Sequence, residues 1–188
     1  GISFWEESGP SALTAKIRAE GMYNFGPSLS PNNAFYILQG IETLSLRMKK
    51  HIENTKMMLE FLKENEAVSW LRHPDLEDHP DHEIAKKILP LGSGSIIVFG
   101  IKGGRDAGKA FIENVKLSSH LANVGDAKTL LIHPGSTTHS HLSSEAMKMS
   151  GLTDDMIRLS VGLEDIEDIK IDFEKGFKAA AKILSKRS

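Results

Sequence analysis

Arg158 lies in the run M-I-R-L-S-V, whose residues alternate in character. Ile157, Leu159 and Val161 fall on one side of an extended chain, and Met156, Arg158 and Ser160 fall on the other. A guanidinium projecting from the middle of a strand is held in place by the sheet, and its planar fork of N–H donors matches a carboxylate or a phosphate. Arg158 is therefore the first candidate for a ligand contact, with an arginine on a solvated sheet face or in a structural ion pair as the competing reading. Upstream, the segment H-P-G-S-T-T-H sets small residues and hydroxyls between His133 and His139. Thr138 offers a hydroxyl that could orient the guanidinium of Arg158 or bond a bound carboxylate. Each bond from a charged donor contributes about 1.5–3 kcal/mol, so one bidentate arginine can supply much of the affinity for a small anion. His133 and His139 could move protons, but a histidine in such a turn more readily bonds backbone.

Other chemistry is poorly supplied. There is no Gly-x-Ser-x-Gly elbow, no His-Glu-x-x-His and no pair of closely spaced carboxylates in a pocket-like context. Gly92-Ser93-Gly94 lacks both the glycine spacing of a dinucleotide fold and the Lys-Ser/Thr of a P-loop, and reads as a plain turn. His73, Asp75, Asp78, His79, Asp81, His82 and Glu83 crowd one loop, yet their spacing lacks the regularity of a metal site. The segment reads as a turn-rich loop, and no metal is expected. The sequence contains no cysteine, which removes disulfides, thiolate ligands and cysteine nucleophiles. Its 188 residues, 40% hydrophobic and 26% charged, suit one globular domain with an appended arm. A formal charge of −2 argues against a nucleic-acid or anionic-membrane surface. No apolar run approaches the roughly 18 residues of a membrane span, so a soluble, cytoplasmic protein is expected.

The elements that must position Arg158 follow from periodicity and punctuation. The chain opens G-I-S-F-W without an initiator Met, which suggests the middle of a longer polypeptide. Ser11 to Phe25 reads as a short helix stopped at Gly26-Pro27. Ser30-Pro31 then places a cap before a proline at the first helical position. From there Ala34, Leu38, Ile41, Leu44, Met48, Ile52, Thr55, Leu59 and Leu62 recur every three or four residues, predicting one long helix. Strands are expected at Ala67–Leu71, Ser95–Gly100, Leu117–Leu121, Lys128–Ile132 and Met156–Val161. Helices are expected at Asp81–Leu89, capped by Asp81, and at Asp106–Asn114, with a helical turn at Glu145–Met149. A closing amphipathic helix starts at Asp165, with Ile166, Ile169, Phe173, Phe177, Ala180 and Leu184 on one face. The order predicts a small α/β (α+β) domain, one sheet with helices packed on a face.

Four segments in this order, LSPNNAFYILQGIETLSLRMKKHIENT, HPDLEDHPDHEIAKK, VGDAKTLLIHPGSTTHSHL and GLTDDMIRLSVGLEDIEDI, resemble the carboxy-terminal half of the pyridoxal-phosphate-dependent enzymes of cysteine and methionine metabolism. The resemblance covers the chain from about Leu29 to its end. Gln39 and the segment NVGDAKTL are more similar to the O-acetylhomoserine sulfhydrylases of that family than to its cystathionine lyases or synthases, with a cystathionine γ-synthase/lyase or methionine γ-lyase type enzyme as the alternative. The resemblance implies a fold type I enzyme in which a large domain binds pyridoxal 5′-phosphate and a small carboxy-terminal domain holds the substrate's α-carboxylate. The family's carboxylate-binding arginine falls on Arg158 and its threonine of the HPxxxTH motif on Thr138. A serine that lines the site in lyase-type relatives falls on Asn123.

No lysine here matches the family's Schiff-base lysine, which lies in a Ser-x-x-Lys context upstream. No catalytic and no cofactor-binding residue is therefore expected in this chain, and alone it should bind the cofactor weakly or not at all. On this resemblance residues 1–30 connect from the large domain, 31–65 form a long interdomain helix, and 66–188 form the small domain. The implied substrates are O-acetyl-L-homoserine and sulfide, giving homocysteine and acetate, in a homotetramer built of active dimers. A truncated homologue serving as an oligomerisation module is the non-catalytic alternative.

Overall fold

The computed structural model describes residues 3–137, 149 and 151–185, so Thr138 and His139 lie outside the described residues, as does the turn expected at Glu145–Met149 apart from Met149. The chain divides into two compact units, Gly1–Leu44 and Ser45–Ser188.

The first unit is helical. In α1 (Phe4–Ser8) the Ser3 hydroxyl accepts from the Glu6 amide at 3.2 Å, while the Ser3 amide donates to the Glu6 carboxylate at 2.6 Å. These bonds to Ser3 hold the Glu6 carboxyl below its usual range. A tight turn at Gly9–Ser11 leads into α2 (Ala12–Lys16), a wider π-helical stretch at Ile17–Met22, and α3 (Tyr23–Phe25). Gly26, at φ 53°, ends the run in the left-handed conformation that glycine adopts without strain. The Ser30 hydroxyl then caps α4 (Pro31–Glu42) by accepting from the Asn33 amide at 3.2 Å.

The single helix expected over 31–65 is two helices. At Thr43 ψ moves to 2°, its amide turns to the Ile41 carbonyl, and α5 (Leu44–Glu64) starts afresh. A glycine at position 40 and a β-branched residue at 43 weaken the helix where it breaks.

The second unit is a four-stranded sheet. Its strands are β1 (Val68–Arg72), β2 (Ile96–Ile101), β3 (Leu130–Ile132) and β4 (Met156–Ser160), in the order β1-β2-β4-β3, with every neighbouring pair antiparallel. Helix α6 (His82–Ile88) follows β1, α7 (Gly104–Asn114) follows β2, and α8 (Ile166–Ser185) closes the chain. One sheet face is the core. Ile97, Phe99, Leu131, Ile157, Leu159 and Val161 meet Met58 and Leu62 of α5, Phe111 of α7, and Ile169, Phe173 and Phe177 of α8 in one buried cluster. At its centre the Phe111 ring lies 4.8 Å from Phe177 and 5.3 Å from Phe173. Gly176 of α8 makes room for that ring, since a Cβ there would sit 2.6 Å from Phe111 Cδ2. The expected layer of helices on one sheet face is thus present.

Two local expectations fail for the same reason, a nearby polar group that takes over the backbone. Leu117–Leu121 is not a strand. The Asp172 carboxylate of α8 accepts from the Lys116, Leu117 and Ser118 amides at 2.7, 3.0 and 3.1 Å, leaving Ser119 a single parallel bridge to Leu130. Asp81 holds the N-cap position of α6 but makes no side-chain cap, and its amide donates to His79 Nδ1 at 3.1 Å.

Candidate carboxylate-binding site

The alternation of β4 sorts its side chains as the sequence implies. Ile157 and Leu159 enter the core, while Met156, Arg158 and Ser160 take the opposite face. Arg158 stands opposite Val98 of β2 and Ile132 of β3, so a ladder on each side fixes its Cα. Val98 also faces Arg72 of β1, which puts Arg72, Val98, Arg158 and Ile132 in one row across the sheet. Two strand spacings separate the two arginines, roughly 10 Å at the backbone. Met156 and Ser160 are buried on either side of Arg158, which is itself half-buried.

One recorded bond orients that guanidinium. Nη2 of Arg158 donates to the Asn123 carbonyl at 3.3 Å. Among the described residues no carboxylate lies within ion-pair distance of Arg158 or of Arg72. The remaining N–H donors of Arg158 are thus left for an anion, and the ion-pair reading of the sequence does not apply among these residues. Asn123 joins the site through its backbone. Its side chain stays in its own turn, Nδ2 donating to Asp126 at 3.2 Å and Oδ1 accepting from the Val124 amide at 2.9 Å. The Asp126 carboxyl is held below its usual range chiefly by the Lys128 amide.

His133, another sequence candidate, is fully buried and donates from Nε2 to the Asp154 carbonyl at 2.8 Å. Burial lowers its pKa below the ordinary 6.5. Its ring fits against α7 because position 108 is glycine, where a Cβ would come within 2.6 Å of Nε2. It is a structural histidine bonded to backbone. The histidines of the 73–83 loop are likewise tied to backbone: His73 Nδ1 accepts from the Asp75 amide at 3.1 Å, and His82 Nδ1 donates to the Pro74 carbonyl at 3.0 Å.

Arg72, which the sequence reading does not single out, lies in the same row across the sheet. Its guanidinium lies 5.6 Å over the Trp70 ring, beside a cleft of about 680 Å³ lined by Trp70, Arg72, Asp78, His79, Thr153 and Met156. The period-two spacing of Trp70 and Arg72 was the available signal, but it could not be placed in the row of Arg158 without the strand order.

A model of the Cys/Met metabolism PLP-dependent enzymes matches residues 8–178. The chain is 45% identical to O-acetyl-L-homoserine sulfhydrylase 1 of Thermus thermophilus, with 93% of this chain and 42% of the relative aligned. It is 42% identical to the homocysteine synthase of Schizosaccharomyces pombe, over 96% of this chain and 42% of the relative. Among solved structures, a putative O-acetylhomoserine (thiol)-lyase of Campylobacter jejuni, with N′-pyridoxyl-lysine-5′-monophosphate in its chain, superposes with a TM-score of 0.77 at 31% identity, covering 92% of this chain and 41% of that one. The O-acetylhomoserine sulfhydrylase of Wolinella succinogenes gives 0.72 at 32% identity, covering 93% and 46%. The chain spans less than half the length of each of these relatives. With the family model matched over most of its length, the chain belongs to the Cys/Met metabolism PLP-dependent enzymes.

Proposed function

We propose that this chain is the carboxylate-binding, carboxy-terminal part of an O-acetylhomoserine sulfhydrylase, an enzyme that converts O-acetyl-L-homoserine and sulfide to homocysteine and acetate. The observation that carries the reading is Arg158, fixed between two strands, oriented by one carbonyl and without an acidic partner among the described residues. Relatives named for that reaction support it. In this reading residues 1–30 connect from a larger cofactor-binding domain, 31–65 pass between domains, and 66–188 form the substrate-binding domain. The protein works as a cytoplasmic homotetramer of active dimers. Asn123 flanks the carboxylate site, and Thr138 supplies it with a hydroxyl.

The residues described here do not fit the family's cofactor. Pyridoxal phosphate takes an amine at its aldehyde, a surface under its ring and donors around its phosphate. No described lysine is buried. Among the described residues the cleft beside Trp70 has no lysine in its lining. A smaller cleft, about 310 Å³, sets Asp75 and Glu77 beside the exposed Lys56 and Lys86, a poor place for a dianion. This chain's share of the reaction is therefore the substrate's carboxylate. Two parallel N–H···O bonds from Arg158 fix the carboxylate plane and with it the direction of the adjoining Cα–H bond, so binding energy becomes positional advantage for the step that breaks that bond.

The test is the rate of homocysteine formation from O-acetyl-L-homoserine and sulfide by the full-length protein, with and without Arg158→Ala. The reading expects sulfide-dependent turnover and a steep rise in KM for O-acetyl-L-homoserine in the variant. Turnover of cystathionine or methionine in its place, no turnover of any of them, or an unchanged KM would overturn it.

A further inference from the structure

Beyond Ser160, β4 runs into the turn Val161–Glu164, where three carbonyls are held by two side chains of α5. His51 Nδ1 donates to the Val161 carbonyl at 2.7 Å. Asn54 Nδ2 donates to the carbonyls of Gly162 at 3.0 Å and Glu164 at 2.9 Å. Both side chains are fully buried, and their remaining polar atoms, His51 Nε2 and Asn54 Oδ1, meet no partner among the described residues. Burying a half-satisfied histidine and asparagine on a helix face that also carries Met58 and Leu62 costs desolvation that apolar side chains would avoid. Their gain is directional: they fix where the turn sits.

That turn also anchors the loop bearing Asn123. The Thr129 amide and hydroxyl donate to the Glu164 carboxylate at 2.7 and 2.8 Å, the Gly162 amide donates to Thr129 Oγ1 at 2.9 Å, and the Leu163 amide donates to the Ala127 carbonyl at 2.9 Å. The 161–164 turn is thus the joint between the strand that carries the Arg158 guanidinium and the loop whose Asn123 carbonyl orients it. We propose that His51 and Asn54 are positioning residues for substrate binding, which hold this joint from α5 and so set the direction of the Arg158 fork. The proposal rests on the reading of Arg158 as the carboxylate receptor.

The experiment measures KM, kcat and thermal midpoint of the full-length protein with O-acetyl-L-homoserine at saturating sulfide, for His51→Asn, His51→Gln, Asn54→Ser and Arg158→Ala. Asparagine carries an amide nitrogen where His51 has Nδ1, whereas glutamine, closer to histidine in length, carries its nitrogen beyond that point. His51→Asn should keep KM within about twofold, while His51→Gln raises it about 5–10-fold, the worth of one buried hydrogen bond, and lowers kcat with it. Equal KM values for the two His51 variants, or a lowered midpoint with KM unchanged, would overturn the proposal and leave His51 as packing. If the His51 variants do not fold, Asn54→Ser decides: a raised KM supports positioning and an unchanged one overturns it. An unchanged KM in Arg158→Ala alone would sink the carboxylate reading beneath it.

Discussion

Asp172 offers a perturbation whose size follows from the geometry. Its carboxylate, 2% exposed, takes the Lys116 amide on Oδ1 and the Leu117 amide, the Ser118 amide and the Ser118 hydroxyl on Oδ2, at 2.7–3.2 Å. Hydrogen bonds to a charged group are worth about 1.5–3 kcal/mol each, but they do not simply add, because a displaced donor near the surface finds water. Lys116 and Leu117 are exposed residues and their amides can be resolvated, whereas both Ser118 donors lie in a buried position. Asp172→Ala should therefore cost about 3–5 kcal/mol, chiefly from Ser118. Asp172→Asn can keep its amide oxygen at the Oδ2 position and lose mainly the Lys116 bond and the charge, for about half that cost. At 2–4 °C per kcal/mol for a chain of this size, the midpoint should fall by about 10 °C for alanine and about 5 °C for asparagine. The assay is thermal unfolding followed by far-ultraviolet circular dichroism. A shift under about 2 °C for alanine, or asparagine worse than alanine, would refute the reasoning.

Two further outcomes are expected. His73 and His133 are both held neutral, each mainly by burial, with pKa values below the ordinary 6.5. In each the folded pKa is the lower one, so the stability they contribute is fully present above pH 6.5 and is lost as pH falls below it, where the unfolded chain takes up protons first. The thermal midpoint should drop between pH 7.5 and 5.5, and His133→Gln, which keeps a donor for the Asp154 carbonyl, should flatten the profile; parallel profiles would contradict this. Gly176→Ala pushes a Cβ to within 2.6 Å of the fully buried Phe111 ring, and should destabilise by about 1–3 kcal/mol, whereas an unchanged midpoint would mean that the aromatic cluster yields freely.

Much of the second unit is legible in the sequence because its periodicities are clean. The β4 alternation separates Ile157 and Leu159 from Arg158, and in the α8 stripe Ile169, Phe173, Phe177 and Ala180 are buried as their spacing implies, while Ile166 is half-buried and Leu184 is exposed. What escapes is set by polar contacts distant along the chain. Leu117–Leu121 has the composition of a strand, but its backbone answers to Asp172, 54 to 56 residues away. The apolar stripe of α5 names Ile52 and Leu59, yet Ile52 is only half-buried and the buried residues include His51 and Asn54, whose partners lie 108 to 110 residues downstream. Asn123, which the resemblance put beside Arg158 by position, meets it through its carbonyl, a group every residue has, so its side chain did not reveal that contact. The place of Arg158 on the sheet face away from the core was legible in the β4 alternation, and its use as a carboxylate receptor is the proposal that the strand alone did not decide.

The account's central claim is that Arg158 receives the substrate carboxylate. Its most direct test compares kcat/KM for O-acetyl-L-homoserine with that for the analogue whose α-carboxylate is a carboxamide, in the full-length protein and in Arg158→Ala. Two charged hydrogen bonds predict a preference for the carboxylate of about 100-fold or more in the native protein, collapsing to within about threefold in the variant. The same preference in both proteins would mean that another group reads the carboxylate, and would contradict the account.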